Sequence, residues 1–389
     1  MVEVYPNTQL PFRFPARFGR GARPIDTTMG PEHRVVTDNQ IISLHSATGT
    51  LFEFMPEHYS TLSWTRDQRD ASRTTLAIPP SDQLTGLPDI APWLHHVTVF
   101  DGDRDVVLWT GPVQKVSSNR GGLTLACKDH AAYLQRTRDP ITKRWDAADP
   151  AKPAAALWRA MLDVQGVNSR VIERPDPEGD RFDVAVTADE QMLDQTISSL
   201  VDMGLRWTVV SGAAIIGPPS LEPLATLDED DFLGDGITLS RDGSAVYNDV
   251  LVRGADVHQR ERVDYYGQNL QTIHNVDNMF GLTNVKAAAQ QFVKHTGTVR
   301  TRLELPQGTQ LHPNAPVSID QLMPGVRFVI EAHGITQLME LTGIEVARAA
   351  GSTTVSVSME SVEEDIELLK KQTGPSQSLG GASLGGGGT

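Results

Sequence analysis

The densest run of reactive side chains in this 389-residue sequence is Asp228-Glu229-Asp230-Asp231. Two carboxylates can serve as acid and base on a glycosidic bond, and several together can hold a hard cation. Consecutive carboxylates on a strand point to opposite faces, and no Asp-x-Asp-x-Asp-Gly loop accompanies them. The run therefore reads as a solvated turn or a helix cap. Gly381-Ala382-Ser383-Leu384-Gly385 spells the G-x-S-x-G of a hydrolase nucleophile, which needs a strand before it and a helix after it. Here it lies in a low-complexity Gly/Ser stretch. Cys127-Lys128-Asp129-His130 brings a thiol, an amine, a carboxylate and an imidazole to the point where an alternating strand gives way to a helix. Asp129 is placed there as an N-cap and Cys127 as a small core residue. The 11 histidines are scattered. His95 and His96 face opposite sides of one strand, and no H-E-x-x-H, G-x-G-x-x-G or Walker A run occurs. The sequence nominates no catalytic, cofactor-binding or metal-ligating residue, and no cofactor is expected.

Composition narrows the classes further. Asp and Glu number 49 against 34 Lys and Arg, a formal net charge of −15. That balance lacks the basic footprint of sequence-specific nucleic-acid binding, yet it suits a wall past which DNA must slide without sticking. A single cysteine excludes a disulfide framework and a cysteine-based zinc site. No apolar run approaches the roughly 20 residues of a membrane span. The N-terminal stretch has basic residues without the apolar core of a secretory signal, so synthesis and folding in a cytoplasm are expected.

The elements that must position these residues fall into blocks. Residues 1–34, rich in Pro, Gly and Arg, form an extended arm. Residues 35–140 read as a first β module of alternating strands, with a hairpin turn at Asp101-Gly102 and a short helix after Asp129. Residues 141–225 form an inserted α+β block. Its first helix opens at Asp149-x-x-x-Pro153, buries Leu157, Met161 and Leu162 and stops at Gly166. Its second is capped by Thr187 or Asp189, carries Met192, Leu193, Ile197, Leu200 and Val201 on one stripe and stops at Gly204. Residues 226–360 return to strands, interrupted by a helix near 284–295. Residues 361–372 form a short helix with a capping box at Ser361 and Glu364, and 373–389 a flexible tail. Trp64 and Trp109 are placed as core anchors of the first module, and Trp207 as that of the inserted block.

One pattern recurs. Val106–His130 and Gln337–Ser361, about 230 residues apart, both run as strand, Thr-Gly pair, second strand, Gly-containing turn and third strand. Thr110-Gly111 matches Thr342-Gly343, and the spacing from each glycine to its third strand is nearly preserved. The predicted fold class is β-rich α+β multidomain, with two similar tube-type β-barrel modules around an inserted α+β block. Two equivalent modules per chain would make a threefold ring behave as six quasi-equivalent units, a symmetry adaptor.

The order of these motifs resembles the tail hub, or minor tail, proteins of long-tailed bacteriophages of actinobacteria, similar to baseplate hub proteins. An early strand carries Trp-x-Arg (Trp64, Arg66). A later one carries Trp-x-Gly-Pro (Trp109, Gly111, Pro112), and Ala-x-x-Asp follows (Ala126, Asp129). "LVDMGLRWTVV" and "NDVLVRG" complete the likeness, which spans residues 40–360. It implies a homotrimeric virion protein at the tail tip, adapting a sixfold tube to a threefold tip and lining the channel for tape-measure protein and DNA. Implied partners are the distal tail protein, the tape-measure protein and other tip proteins, with Asp101, Asp103 and Asp105 as candidate channel-lining residues. Two alternatives stay open: a tail-borne peptidoglycan hydrolase using Asp228 and Glu229, and a receptor- or glycan-binding tip protein.

Overall fold

The computed structural model describes residues 34–46, 49–80, 89–177, 179–234, 236–244, 246–254, 257–275 and 282–362. The arm up to residue 33, the helix expected beyond 362, the Gly/Ser tail and the serine at 383 lie outside these residues.

Period-2 alternation builds the first strands: β1 (Gln40–Ser46), β2 (Gly49–Phe54), β3 (Thr61–Asp67), β4 (Arg73–Ile78), β5 (His96–Asp101), β6 (Val106–Asn119) and β7 (Gly122–Lys128). On β3, Leu62, Trp64 and Arg66 point inward while Thr61, Ser63 and Thr65 point away; on β7, Leu123, Leu125 and Cys127 are the buried set. This is the pattern of strands with one covered face. A 3-10 helix, His130–Arg136, follows.

The next stretch holds β8 (Lys143–Ala148), α1 (Ala151–Gln165), β9 (Val171–Glu173), β10 (Phe182–Val186), α2 (Leu193–Asp202), β11 (Trp207–Val210) and β12 (Ala213–Ile216). α1 ends as expected, with Gly166 in the left-handed region at φ 64°. α2 starts later than its sequence implies. Neither Thr187 nor Asp189 caps it: Met192 occupies the cap position, without a side-chain cap. Backbone bonds from Asp189 N to Asp139 O and from Leu193 N to Thr137 O, with an Arg138–Met192 bridge, hold 187–192 outside the helix. The core beneath this stretch joins Trp158, Leu157, Met161, Ile197, Leu200 and Trp207 to Tyr133 and Leu134 of the preceding 3-10 helix. The sequence boundary at 140 therefore does not coincide with a break in packing.

After β13 (Pro223–Asp228) and β14 (Phe232–Leu233), residues 237–304 form a separate compact unit, and residues 1–236 with 305–389 form the other. The smaller unit contains β15 (Thr238–Asp242), β16 (Asp249–Arg253), β17 (His258–Arg262), β18 (Gln271–Asn275), α3 (Leu282–Thr296) and β19 (Arg300–Glu304). β15 pairs with β19, and β16 lies between antiparallel β17 and parallel β18. α3 covers this sheet through Val285, Ala289 and Val293, packed on Val250 and Val252.

The larger unit resumes with β20 (Thr309–Leu311), β21 (Arg327–Ala332), β22 (Ile335–Ala349) and β23 (Ser352–Ser361). Its main sheet follows the order β14-β20-β23-β22-β3-β4-β7-β6-β5-β1-β2, with β13 and β21 joined through β22. Among the described residues this is one open path of hydrogen-bonded strands rather than two closed rings. The reason lies in β3 and β4, which pair with each other while β4 also pairs with nearby β7 and β3 with β22, late in the chain. No helix among the described residues is long and apolar enough to cross a membrane.

Candidate functional site

The two recurrent segments form corners of the same kind. β6 pairs with β5 along Val106–Pro112, then changes partner to β7 from Val113 onward, with a register shift between Val113 and Lys115. β22 pairs with β21 along Ile335–Glu340, then with β3 along Gly343–Ala349, while β23 takes its other edge with a shift between Leu341 and Gly343. A strand that changes partner must bend, and a bulge beside a glycine supplies the bend. Gly343 borders the shift in β22, and Gly111 lies two residues before the change of partner in β6. A methyl at Gly111 would meet the carbonyl oxygen of Lys128 at 2.0 Å and Asp129 Cα at 2.7 Å, so only glycine fits. At Gly343 the nearest atoms, Arg66 O and Asp67 Oδ1, stand 3.3 Å away.

Side chains from distant parts of the sequence converge on the first corner. Arg66 is 1% exposed and its guanidinium donates to three main-chain carbonyls: Ile319 at 2.6 Å, Leu322 at 3.2 Å and Leu108 at 3.1 Å. It lies over the Trp64 ring, 5.2 Å from its centroid. Burial lowers its pKa to about 10, which leaves it cationic at neutral pH. Trp64 is fully buried and donates Nε1–H to Gln40 Oε1 at 3.0 Å. Trp109 is buried on β6, and Trp207 packs on Trp158 with ring centroids 5.1 Å apart. Asp129 caps the 3-10 helix, accepting from Ala131 N at 2.9 Å and from Ser72 N at 3.0 Å. Burial raises its pKa to about 7, and burial also raises that of the Cys127 thiol. Arg66 of the Trp-x-Arg pair thus bonds β6 at Leu108, and Gly111 of Trp-x-Gly-Pro lies against Asp129 of Ala-x-x-Asp.

The hairpin turn after β5 holds the three aspartates singled out for a channel wall. Asp101 is 2% exposed, receives Arg104 Nε at 2.6 Å and accepts the amides of Asp103 and Arg104. It braces the turn rather than facing solvent. Asp103 and Asp105 are exposed. Bonds from Thr37 and Asn39 hold the Asp103 carboxyl below its ordinary range. Arg104 also reaches Asp320 at 2.6 Å.

The acidic run at 228–231 forms a 3-10 turn with a capping box: Asp230 N donates to Asp228, and Asp228 N donates to Asp231. The Glu229 carboxylate accepts from the main-chain amide of His333. Among the described residues no cluster of His, Cys, Asp and Glu is arranged to hold a metal ion.

Sequence reasoning missed one group. His45 on β1, His96 on β5 and His130 of the 3-10 helix line up in series: the first two rings stack with centroids 5.7 Å apart, and His130 meets His96 edge-on at 6.1 Å. His45 Nε2 bonds Thr98 Oγ1 at 2.8 Å, which bonds Thr110 Oγ1 at 2.7 Å, beside the corner glycine. His130 Nδ1 meets Gly212 O at 3.2 Å. Burial first, and neighbouring histidines for His45 and His96, lower the three pKa values to about 4, 3 and 4. No spacing rule finds them, because they come from separate segments.

No protein-family profile matches the sequence, and a search of curated proteins finds no match. Solved structures do resemble the fold. A tail protein from Neisseria meningitidis MC58 superposes with TM-score 0.52 at 15% identity, covering 84% of this chain and 97% of that one. The 43 kDa tail protein of prophage MuSo2 from Shewanella oneidensis gives 0.54 at 12% identity, covering 82% and 97%. The chain shares its fold with these two tail proteins.

Proposed function

We propose that the protein is a structural virion component: a homotrimeric hub at the distal end of a phage tail tube. In this reading the segments 35–140 and 226–360 act as two equivalent modules, so three chains present six similar corners to a sixfold tube and threefold symmetry to the tip. The block 141–225 braces the ring. Its neighbours are the distal tail protein, the tape-measure protein and other tip proteins, and DNA passes without being bound. Asp103 and Asp105, exposed at the first corner's turn, are the candidate lumen carboxylates.

The observation that carries this reading is the matched pair of corners, β5-β6-β7 and β21-β22-β23, each bending near a Thr-Gly pair. No chemistry is assigned to the chain in this reading: Asp228 and Asp231 cap their own turn, and Glu229 takes the His333 amide. Light scattering on the purified chain tests the copy number, with a trimer expected and a monomer at every concentration counting against it.

A further inference from the structure

Residues 237–304 differ in charge from the remainder. They hold eight Lys and Arg against seven Asp and Glu, which leaves 26 against 42 for the rest of the chain. Copies carrying −15 repel one another at long range, and a region where the sign changes favours close approach.

The three-stranded sheet of this unit has one covered face. The other presents His258, Arg260 and Arg262 from β17, Leu251 and Arg253 from β16, and Ile273 from β18. The alternation along each strand separates these from the residues packed on α3. Strand register places Arg260, Leu251 and Ile273 side by side in one row. Asp249, buried, takes both nitrogens of the Arg260 fork, so Arg253 and Arg262 give the face its excess positive charge. Ile273 stands 54% exposed, and seven of the 11 exposed large apolar side chains among the described residues belong to this unit. An apolar centre ringed by arginines is the composition of a protein interface, and here its charge complements the acidic larger unit.

We propose that this uncovered face docks on the acidic unit, residues 1–236 with 305–389, of a second copy of the chain. The proposal rests on the multimeric reading above and names the surface through which copies meet. Sedimentation equilibrium on the full-length chain tests it, with Arg253→Glu/Arg262→Glu and Ile273→Asp as variants. All three positions lie on an exposed face, and circular dichroism checks that the fold persists. Association weakened about tenfold or more in each variant, and weakened by salt in the wild type, is expected. A photoreactive residue at 273 should crosslink to residues 1–236 or 305–389 of another copy. Unchanged association in the variants, a wild type that stays monomeric, or crosslinks confined to 237–304 would overturn it. A trimer of unchanged mass in the variants overturns the docking and leaves the hub reading intact. Docking through this face by a chain that images away from the tail axis does the reverse.

Discussion

Gly111 and Lys128 approach so closely that a Cβ on the glycine would lie 2.0 Å from the lysine carbonyl oxygen. The contact locks the bend of β6 against the end of β7. Its counterpart, Gly343 beside Arg66 O, leaves 3.3 Å. Each glycine lies in the long middle strand of an antiparallel triplet, but the two positions differ in tolerance.

Gly111→Ala is therefore expected to destabilise the larger unit by about 3 kcal/mol, since the obstacle is backbone. Gly343→Ala should stay within about 1 kcal/mol of wild type, because the lower entropy of the unfolded chain offsets a mild squeeze. Urea unfolding of the two variants checks the ordering, and equal losses would contradict it.

Arg66 answers three carbonyls from two separated segments. Arg66→Met should cost roughly 3–5 kcal/mol by leaving buried acceptors without donors. Arg66→Lys should recover little, because an ammonium cannot reproduce the planar fork. Thermal melts of both variants decide this, and full rescue by lysine would refute the geometry.

The aligned histidines predict acid lability. Their folded pKa values, about 4, 3 and 4, lie below the ordinary 6.5, so the unfolded chain binds protons first. Their contribution is complete above pH 6.5 and is lost as the pH falls towards 4. Asp129, raised to about 7 by burial, acts in the opposite direction and offsets part of this loss. The three histidines less Asp129 leave an expected net loss of about 3 kcal/mol between pH 7 and pH 5. His96→Gln/His130→Gln should flatten the pH dependence of the urea midpoint, and an unaltered slope would show that other groups set it.

Asp228→Ala should lower stability by about 1 kcal/mol through loss of the cap. Cell-wall zymography of the wild type should show no clearing band. Clearing abolished by this substitution would favour the hydrolase alternative.

Much of this fold was legible because short-range physics set it. The alternation of Leu62-Trp64-Arg66 and Leu123-Leu125-Cys127, and the stop at Gly166, follow from strand and helix periods alone. The start of α2 was misread because Thr187 and Asp189 have cap chemistry, while backbone pairing near Asp139 decides their conformation. The pairing of β3 with β22 joins Thr61–Asp67 to Gly343–Ala349, far apart in the chain, and no local pattern encodes it. The same distance hid the histidine series and the carbonyl partners of Arg66. Asp101 looked like a solvated turn residue; its burial depends on Arg104 folding back over it.

The central claim is that three copies place six matched corners around one axis. Electron cryo-microscopy of the assembled tail tip, with this chain traced in the density, tests it most directly. Three copies encircling the tube axis, with the corners at Gly111 and Gly343 alternating around the ring, are expected. A different copy number, or a position away from the axis, would contradict it.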